Sequence, residues 1–416
     1  MSEPPMAETN WAGCYTYTAG RVHRPTSLQQ AQQIVAGAPR IRALGSRHSF
    51  NDLPDSPGDL ITLAQLPTEV QIDSAARVVQ VGAGVRYGEL AEELHHHGWA
   101  LKAMASLPHI AVGGAIGTAT HGSGDGVGCL ASDVVGLELI DARGELVTID
   151  ADDPRLPGAA VHLGALGVLT RVRLRIEPTY EVAQYVVNDV PWEYVLEHFD
   201  QITGSAYSVS MFTRWDKDVV DQIWLKSRSG QVGLPVGTPA TGPQHPIRNV
   251  DPETATLQGG VAGPWQDRLP HFRMGFTPSA GAEIQSEYLM PRQFVAEAVE
   301  KLRAIAPRIA PITQVCELRT IAADDLWLSM AHERETVAVH FTFDRDPQQV
   351  REVLRLVERA LTPCHARPHW GKWFTYDGAH VASLYPRMDD FHQLVRSFDP
   401  EGKFHNDFLQ RTVLAR

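Results

Sequence analysis

The sequence predicts an α+β protein with two domains. A chain of 416 residues is too long for one ordinary hydrophobic core, which favours two domains. The predicted strands and helices of the N-terminal part do not alternate as βαβ units, which argues against a doubly wound sheet. Glu177-Pro178 then interrupts the strand pattern, and a second block of elements begins near residue 179. We therefore expect a first domain at 1–178 and a second at 179–378.

In the first domain, helices are predicted from capping signals and strands from apolar alternation. Thr26 resembles an N-cap, and Gly98 suits the position after a helix end. Two pairs of short strands enclose polar turns, as hairpins do. The predicted helices are 26–36 and 87–97, and the predicted strands are 41–44, 70–72, 78–81, 137–140, 145–149 and 168–176.

The second block has the same mixture of elements. Strands are predicted at 207–215, 221–226, 282–290, 314–320 and 336–343, and helices at 292–305 and 348–361. Residues 229–265 are rich in Gly, Pro and Thr, and a loop of this length usually covers a site or an interface. Aromatic residues at 398–408 indicate that a C-terminal segment, 379–416, docks back onto a core.

Composition narrows the possible partners. The net charge is −12 with scattered basic residues, so we expect no nucleic-acid surface. No apolar run approaches the roughly 18 residues of a membrane helix, and residues 1–10 lack the features of a secretory signal. The four cysteines are far apart without a CxxC pair, so free thiols and no metal site are expected. We expect a cytoplasmic monomer.

Two loops contain the most informative residues. In the loop 43–51, His48 follows small residues after a strand, where a histidine is often only a hydrogen-bonded turn residue. In the loop 106–123, glycines are packed among Ala, Thr and Ser, which suits either a tight packing turn or backbone contact with a phosphate. The two loops together are far more specific for a ligand site than either alone.

Polar residues alternate on two predicted strands. Glu317 and Arg319 share one face of a strand, and His340 and Thr342 share one face of another. These four groups suit the lining of a pocket for a polyhydroxylated molecule. The alternative is the solvent-facing side of a half-exposed sheet.

Motifs along nearly the whole chain resemble those of the alditol oxidases, in the aldonolactone oxidoreductase branch of the vanillyl-alcohol-oxidase flavoproteins. These motifs are SRHSFNDL (46–53), MASLPHI (104–110), GTATHGSG (117–124), LGALGV (163–168), WQDRLPHFR (265–273), SEYLMPR (286–292), CELRT (316–320), HFTF (340–343), RPHWGK (367–372) and DPEGKF (399–404). The resemblance implies a vanillyl-alcohol-oxidase (PCMH-type) FAD-binding domain, built from the N-terminal part and the C-terminal segment, and an inserted α+β substrate (cap) domain.

The resemblance also implies the cofactor and its ligands. FAD would be attached covalently through His48 to the 8α-methyl group of its ring system. Arg47 stands where the wider family commonly has glycine, and it would either strain the loop or aid a negative diphosphate. The implied FAD-binding residues are Ala43, Leu44, Gly45, Ser46, Arg47, His48, Ser49, Ser106, Gly114, Thr118, Ala119, Thr120, His121, Val168, Thr342 and Lys372.

The implied reaction is oxidation of the terminal primary alcohol of a polyol such as xylitol or sorbitol to the aldose. A hydride moves to flavin N5, and O₂ is reduced to H₂O₂. Ser106, Glu317, Arg319 and Thr342 would bind the polyol; the implied catalytic residues are Lys372, Arg319, Glu317 and His340. Lys372 is the candidate cation near flavin N1, and His340 is either a supporting group or the proton acceptor. The alternatives are an aldonolactone oxidase or dehydrogenase on the same scaffold and a flavin-binding protein without turnover.

Overall fold

The computed structural model describes residues 8–230, 232–276 and 282–415, so residues 1–7, on which part of the expectation about a secretory signal rests, lie outside it. The strands are β1 Arg21–His23, β2 Ile41–Ala43, β3 Asp59–Ile61, β4 Val70–Asp73, β5 Val78–Gly82, β6 Trp99–Ala100, β7 Val134–Ile140, β8 Leu146–Asp150, β9 Val168–Arg175, β10 Glu177–Pro178, β11 Glu181–Pro191, β12 Ser208–Thr213, β13 Val219–Ser227, β14 Thr238–Pro239, β15 Gly263–Pro264, β16 Glu283–Pro291, β17 Thr313–Ile321, β18 Thr336–Asp344 and β19 Arg367–Pro368. The helices are α1 Leu28–Gly37, α2 Tyr87–His96, α3 Val112–Gly117, α4 Leu156–Ala160, α5 Trp192–Glu197, α6 Phe199–Thr203, α7 Val295–Ala304, α8 Ala306–Ile309, α9 Pro347–Leu361, α10 Gly378–Leu384, α11 Met388–Phe398 and α12 Asp407–Thr412. The α+β prediction is confirmed.

The N-terminal part contains two main sheets. A five-stranded antiparallel sheet has the order β4-β5-β9-β7-β8 and includes both predicted hairpins. A three-stranded parallel sheet has the order β1-β3-β2. Helix α1 joins β1 to β2 in this parallel sheet and forms one βαβ unit, but the elements of the N-terminal part do not otherwise alternate as βαβ units, as predicted. Strands β1 and β3 have three residues each, too few for a recognisable alternation.

Local signals place the predicted helices to within a few residues. Helix α1 is capped by Ser27, whose side chain accepts a hydrogen bond from the backbone N–H of Gln30. The predicted cap, Thr26, is therefore one residue too early. Helix α2 ends at His96, one residue before the predicted end, and Gly98 lies in the left-handed region at φ +80°. Helix α9 is capped by Asp346, whose carboxylate accepts from the N–H groups of Gln348 and Gln349.

A nine-stranded sheet forms the second part, with the order β14-β11-β13-β12-β17-β18-β16-β19 and β15 paired to β11. Its helix-facing side packs in one apolar core with α5, α7 and α9. The other side carries the polar residues of β16, β17 and β18. Strand β17 is almost wholly buried, so both faces of the sheet are covered.

The C-terminal segment packs against the N-terminal part. Val381, Phe391 and Phe408, from α10, α11 and α12, belong to the same core as the five-stranded sheet. The sequence predicted this docking but not the three helices. The limits at residues 178 and 378 stay predictions. Among the described residues, no helix is long and apolar enough to cross a membrane.

Candidate active site

A cavity of about 750 Å³ lies between the N-terminal loops and the polar side of the nine-stranded sheet. The loop after β2 and the segment around α3 form one side of it. Strands β16, β17 and β18 form the other side, and His245, Pro246 and Ile247 from the predicted covering loop also line it. The cavity thus brings together parts of the chain that are far apart in sequence.

Two neighbouring side chains fix the position of His48 in the cavity wall. Its Nδ1 lies 3.1 Å from the Ser46 hydroxyl, and its ring stacks on Trp11 with 5.4 Å between centroids. Burial lowers the pKa of His48 to about 4, so the imidazole is neutral. Its Nε2 is buried without a hydrogen-bond partner among the described residues. The contact with Ser46 uses Nδ1, so Nε2 is left for a further partner.

Arg47 adopts a backbone conformation that favours glycine. Its φ is +64°, in the left-handed region that costs an L-residue about 1–2 kcal/mol. Its guanidinium lies 2.6 Å from the Glu8 carboxylate, and Arg47 also lines the cavity. The backbone at position 47 therefore adopts the conformation expected for glycine, although the residue is an arginine.

The second loop contains a short helix, α3, where the sequence predicted irregular structure. A Cβ on Gly113 would lie 2.8 Å from the Ala83 Cβ, whereas a Cβ on Gly114 would meet nothing within 4 Å. Gly113 thus permits close packing, and Gly114 leaves open space in the cavity wall. The Ser46 hydroxyl accepts from the Ala111 N–H at 2.9 Å and joins the two loops.

The alternating residues of β17 separate into two environments. Cys316 and Leu318 enter the apolar core on the helix side. Glu317 and Arg319 line the cavity and are only 5% and 6% exposed. Burial alone would raise the pKa of Glu317, but Arg319 and His271 outweigh it and hold the pKa well below its usual value. The interpretation as a solvent-facing sheet surface is wrong because the N-terminal part covers this side.

Glu287, on β16, binds the two cations of the site. Its carboxylate lies 2.6 Å from Arg319 Nη2 and 3.2 Å from Lys372 Nζ. Burial alone would raise its pKa, but Lys372 and Arg319 hold the pKa well below its usual value. A carboxylate buried this deeply needs such partners. Glu287 therefore fixes the relative positions of Arg319 and Lys372.

Lys372 also contacts His340 on β18. The Lys372 ammonium lies 2.7 Å from His340 Nδ1, and His340 Nε2 lies 3.2 Å from the Thr342 hydroxyl. Because the ammonium donates to Nδ1, the ring proton belongs on Nε2 and can be donated to Thr342. Burial lowers the pKa of His340 to about 4, and nearby Lys372 adds to this effect. The imidazole is therefore neutral at pH 7.

The cavity contains nearly all the residues predicted for the site. Its lining includes Ala43, Leu44, Gly45, Ser46, Arg47, His48, Ser49, Ser106, Gly114, Thr118, Thr120, His121, Glu317, Arg319, His340, Thr342 and Lys372. Ala119 and Val168 are fully buried in apolar cores and do not line it. Because side chains alternate along β9, the neighbour of Val168, Leu169, faces the cavity instead.

Two family models and several relatives match this chain. An FAD-binding domain model matches residues 19–150, and a D-arabinono-1,4-lactone oxidase model matches residues 280–412. An alditol oxidase from Streptomyces sp. is 46% identical over 97% of this chain and 98% of its own length. The chain belongs to the alditol oxidase family. It is an FAD-dependent oxidoreductase, as the sequence predicted.

Two further proteins resemble this chain at lower sequence identity. An L-gulono-1,4-lactone dehydrogenase from Mycobacterium tuberculosis is 27% identical over 97% of this chain and 98% of its own length. The crystal structure of cholesterol oxidase from B. sterolicum superposes with a TM-score of 0.78 at 16% identity, covering 98% of this chain and 96% of that one. The last similarity supports the two-domain flavoprotein fold and nothing finer.

Sequence reasoning missed Glu287, His369 and His271, although all three lie in motifs shared with the alditol oxidase family. A signal for Glu287 was available, because Glu283, Gln285 and Glu287 occupy alternate positions of one strand. All five of these residues line the cavity. The alternation on β16 does not by itself indicate what these side chains contact.

One group of three side chains in the described part of the chain has the spacing of metal ligands. His121, Glu287 and His369 offer ligand atoms within 4.8 Å of one another. Arg319 and Lys372 already neutralise the Glu287 carboxylate, which disfavours a further cation. The absence of a metal site stays a prediction.

Proposed function

We propose that the chain is an FAD-dependent oxidase of alditols such as xylitol or sorbitol. It would convert a terminal primary alcohol to the aldose and reduce O₂ to H₂O₂. The observation that carries this proposal is the single cavity that reaches from the His48 loop to Glu317, Arg319 and Lys372. Two carboxylates and two cations can form hydrogen bonds with many hydroxyl groups. An acyl chain or a sterol would leave these charged groups without partners.

The residues of the cavity fit a flavin. His48 offers an unpartnered, uncharged Nε2 at the cavity wall, and this is the nitrogen we propose as the site of covalent attachment. Gly114 leaves the backbone of α3 open to a bound group. The remaining predicted contacts, including Arg47 toward a diphosphate, are part of this proposal.

Substrate hydroxyls would be held by Ser106, Glu317, Arg319 and Thr342. Arg319 donates to the Ser106 hydroxyl at 3.2 Å and to Glu287 at 2.6 Å. Its Nε is buried without a hydrogen-bond partner among the described residues. An unpaired guanidinium N–H beside an ionised carboxylate suits a hydroxyl group, which accepts from the one and donates to the other.

A bound flavin supplies the hydride acceptor for alcohol oxidation. Lys372 would place positive charge where negative charge develops. His340 is the neutral imidazole of the site, and we propose it as the acceptor of the hydroxyl proton. Nε2 carries the ring proton and the Nδ1 lone pair accepts from the Lys372 ammonium, so Nδ1 would take up the hydroxyl proton once Lys372 turns its N–H away.

The test is aerobic peroxide formation with alditols, aldonolactones and simple primary alcohols. Alditols should give the highest kcat/KM. A second candidate, an aldonolactone oxidase or dehydrogenase, is favoured by the C-terminal family match at residues 280–412. Higher kcat/KM with aldonolactones would support that candidate. Lack of turnover with every compound would instead favour a flavin-binding protein without catalysis.

Covalent attachment has its own test. Acid-denatured protein is run on a gel, and flavin fluorescence should migrate with the chain. His48→Ala should abolish the fluorescence, while the control His96→Ala, at an exposed helix end, should keep it. Fluorescence at the dye front in the unaltered protein would refute attachment.

The proposal also includes a cytoplasmic location and a monomeric state. All four cysteines are free, as the cytoplasm favours. Size-exclusion chromatography with light scattering should give the 45.8 kDa mass of one chain; twice that mass would show a dimer.

A further inference from the structure

A buried lysine lies close to the active site but does not line the cavity. Lys226, on β13, is 1% exposed. Its Nζ lies 2.5 Å from the Leu269 carbonyl, 2.9 Å from the Pro270 carbonyl and 3.1 Å from His271 Nδ1. An ammonium group has three N–H donors. These three acceptors therefore use every donor of a charged Lys226.

His271 connects this lysine to the substrate-facing carboxylate. Its Nε2 lies 2.7 Å from Glu317 Oε1. The imidazole edge packs against Phe212 and Trp224, with ring centroids 5.5 and 5.4 Å away. Because Nδ1 accepts a hydrogen bond from Lys226, the ring proton must reside on Nε2. His271 can then donate it to Glu317.

This hydrogen bond determines which oxygen of Glu317 is occupied. The contact with His271, at 2.7 Å, and the contact with Arg319 Nε, at 3.6 Å, are both made by Oε1. Oε2 is therefore the oxygen left for a substrate hydroxyl. If His271 carried its proton on Nδ1 instead, its Nε2 lone pair would face Glu317 and repel it.

We propose that Lys226 is a positioning residue that selects the His271 tautomer and thereby holds Glu317 in the orientation that binds the polyol. The inference rests on the proposed role of Glu317 in substrate binding. Lys226 itself would contact neither substrate nor flavin. Its effect passes through His271.

The surroundings of Lys226 make this arrangement sensitive to pH. Burial lowers the pKa of Lys226 to about 7, and Glu317 opposes the shift. The charged and titratable groups on this side are His271 from the 269–271 segment and Glu317 and Arg319 from β17. The residues paired with Lys226 on β11 and β12 are uncharged: Gln184 and Ser208.

A neutral amine has two N–H groups for three acceptors. Loss of the Lys226 proton therefore removes the fixed donor to His271 Nδ1. Since the protonated form is the competent one, kcat/KM for alditols should fall as the pH rises through about 7.

The decisive variant is Lys226→Met, with Lys217→Met as its matched control. Lys217 lies in the turn of the same β12–β13 hairpin, with a side chain 49% exposed. Lys226→Met should raise KM for the alditol roughly 10-fold or more, because a hydrogen bond to a charged group is worth about 1.5–3 kcal/mol. It should change kcat less and lose the alkaline decline. The control should match the unaltered enzyme in all three respects.

Nitrogen-15 NMR of histidine-labelled holoenzyme tests the tautomer directly. The His271 signals are assigned by their loss in His271→Gln. In the unaltered protein, Nδ1 should give the shift of an unprotonated ring nitrogen at pH 6 and change with a midpoint near pH 7. A protonated Nδ1 at pH 6, where Lys226 is charged, would overturn the inference, even if Lys226→Met fails to fold.

The two proposals fail in different ways. If the unaltered enzyme oxidises no alditol, the proposed function is wrong, and the NMR titration still decides whether Lys226 controls His271. If alditols are oxidised but Lys226→Met has unchanged KM and pH dependence, only the positioning role is wrong.

Discussion

The Glu287 carboxylate lies 3.2 Å from the Lys372 ammonium, and Glu287 is only 1% exposed. The same carboxylate binds Arg319 at 2.6 Å. One buried anion thus holds both cations of the site, one on β17 and one in the segment after β19.

Glu287→Gln should destabilise the protein strongly. Removing one partner of a buried ion pair costs about 3–5 kcal/mol, because the remaining charges are left uncompensated. Urea unfolding should show this loss, whereas Glu297→Gln should cost under about 1 kcal/mol because its pair with Lys301 is at the surface. Equal stability of the two variants would show that Glu287 does not hold the cations.

Lys372→Met should lower the reduction potential of the bound flavin and slow its anaerobic reduction by an alditol. Methionine keeps much of the side-chain volume but removes the charge that favours the reduced state. Rapid mixing separates this step from reoxidation. Reduction at the rate of the unaltered enzyme would place Lys372 away from the reacting atoms. Slow reoxidation of the unaltered enzyme in air would favour a dehydrogenase.

Glu317→Gln and Arg319→Ala should each reduce kcat/KM for alditols while the flavin spectrum persists. A lost hydrogen bond to a charged group is worth about 1.5–3 kcal/mol, or roughly 10- to 150-fold. Steady-state peroxide assays measure the effect. Unchanged kcat/KM in both variants would mean that the polyol binds elsewhere.

The two Arg47 variants separate backbone strain from the ion pair with Glu8. Arg47→Gly and Arg47→Ala both remove the ion pair, but only glycine accepts φ +64° without strain. Arg47→Gly should therefore be more stable than Arg47→Ala by about 1 kcal/mol. Urea unfolding measures the difference. Equal stabilities would show that the loop relaxes to another conformation.

Local patterns in the sequence predicted much of the site. The alternation on β17 correctly placed Glu317 and Arg319 on the same side of that strand. The alternation on β18 did the same for His340 and Thr342. Which faces meet depends on pairing between distant strands, such as Glu317 opposite His340. The family resemblance, and not the alternation, supplied that knowledge.

Other features had no local signal. Strand β11 spans 11 residues and was missed because burial on both faces removes a clear alternation. Lys226 was missed because two of its partners are backbone carbonyls of a distant loop. Sequence reasoning identifies side chains of reactive types, whereas a lysine satisfied by carbonyls becomes visible only when the loop is placed.

The pH dependence of turnover should reveal the environment of His340. A proton acceptor must be neutral, and burial together with Lys372 lowers the pKa of His340 to about 4. Its neutral form therefore persists well below the usual histidine value of about 6.5. We expect kcat/KM for alditols to fall on the acid side only as the pH drops through about 4. Initial rates measure this limb, with circular dichroism at each pH as the control for unfolding.

His340→Gln separates the proton acceptor from a purely supporting role. Glutamine can still donate a hydrogen bond to Thr342, but it cannot take up a proton. If His340 accepts the hydroxyl proton, the variant should lose roughly 10²–10⁴-fold in kcat and also lose the acid limb. If kcat falls little and the acid limb remains, another group accepts the proton, and His340 only orients Thr342 and Lys372. An acid limb near pH 6.5 in the unaltered, folded enzyme would contradict the buried, uncharged state of the imidazole itself.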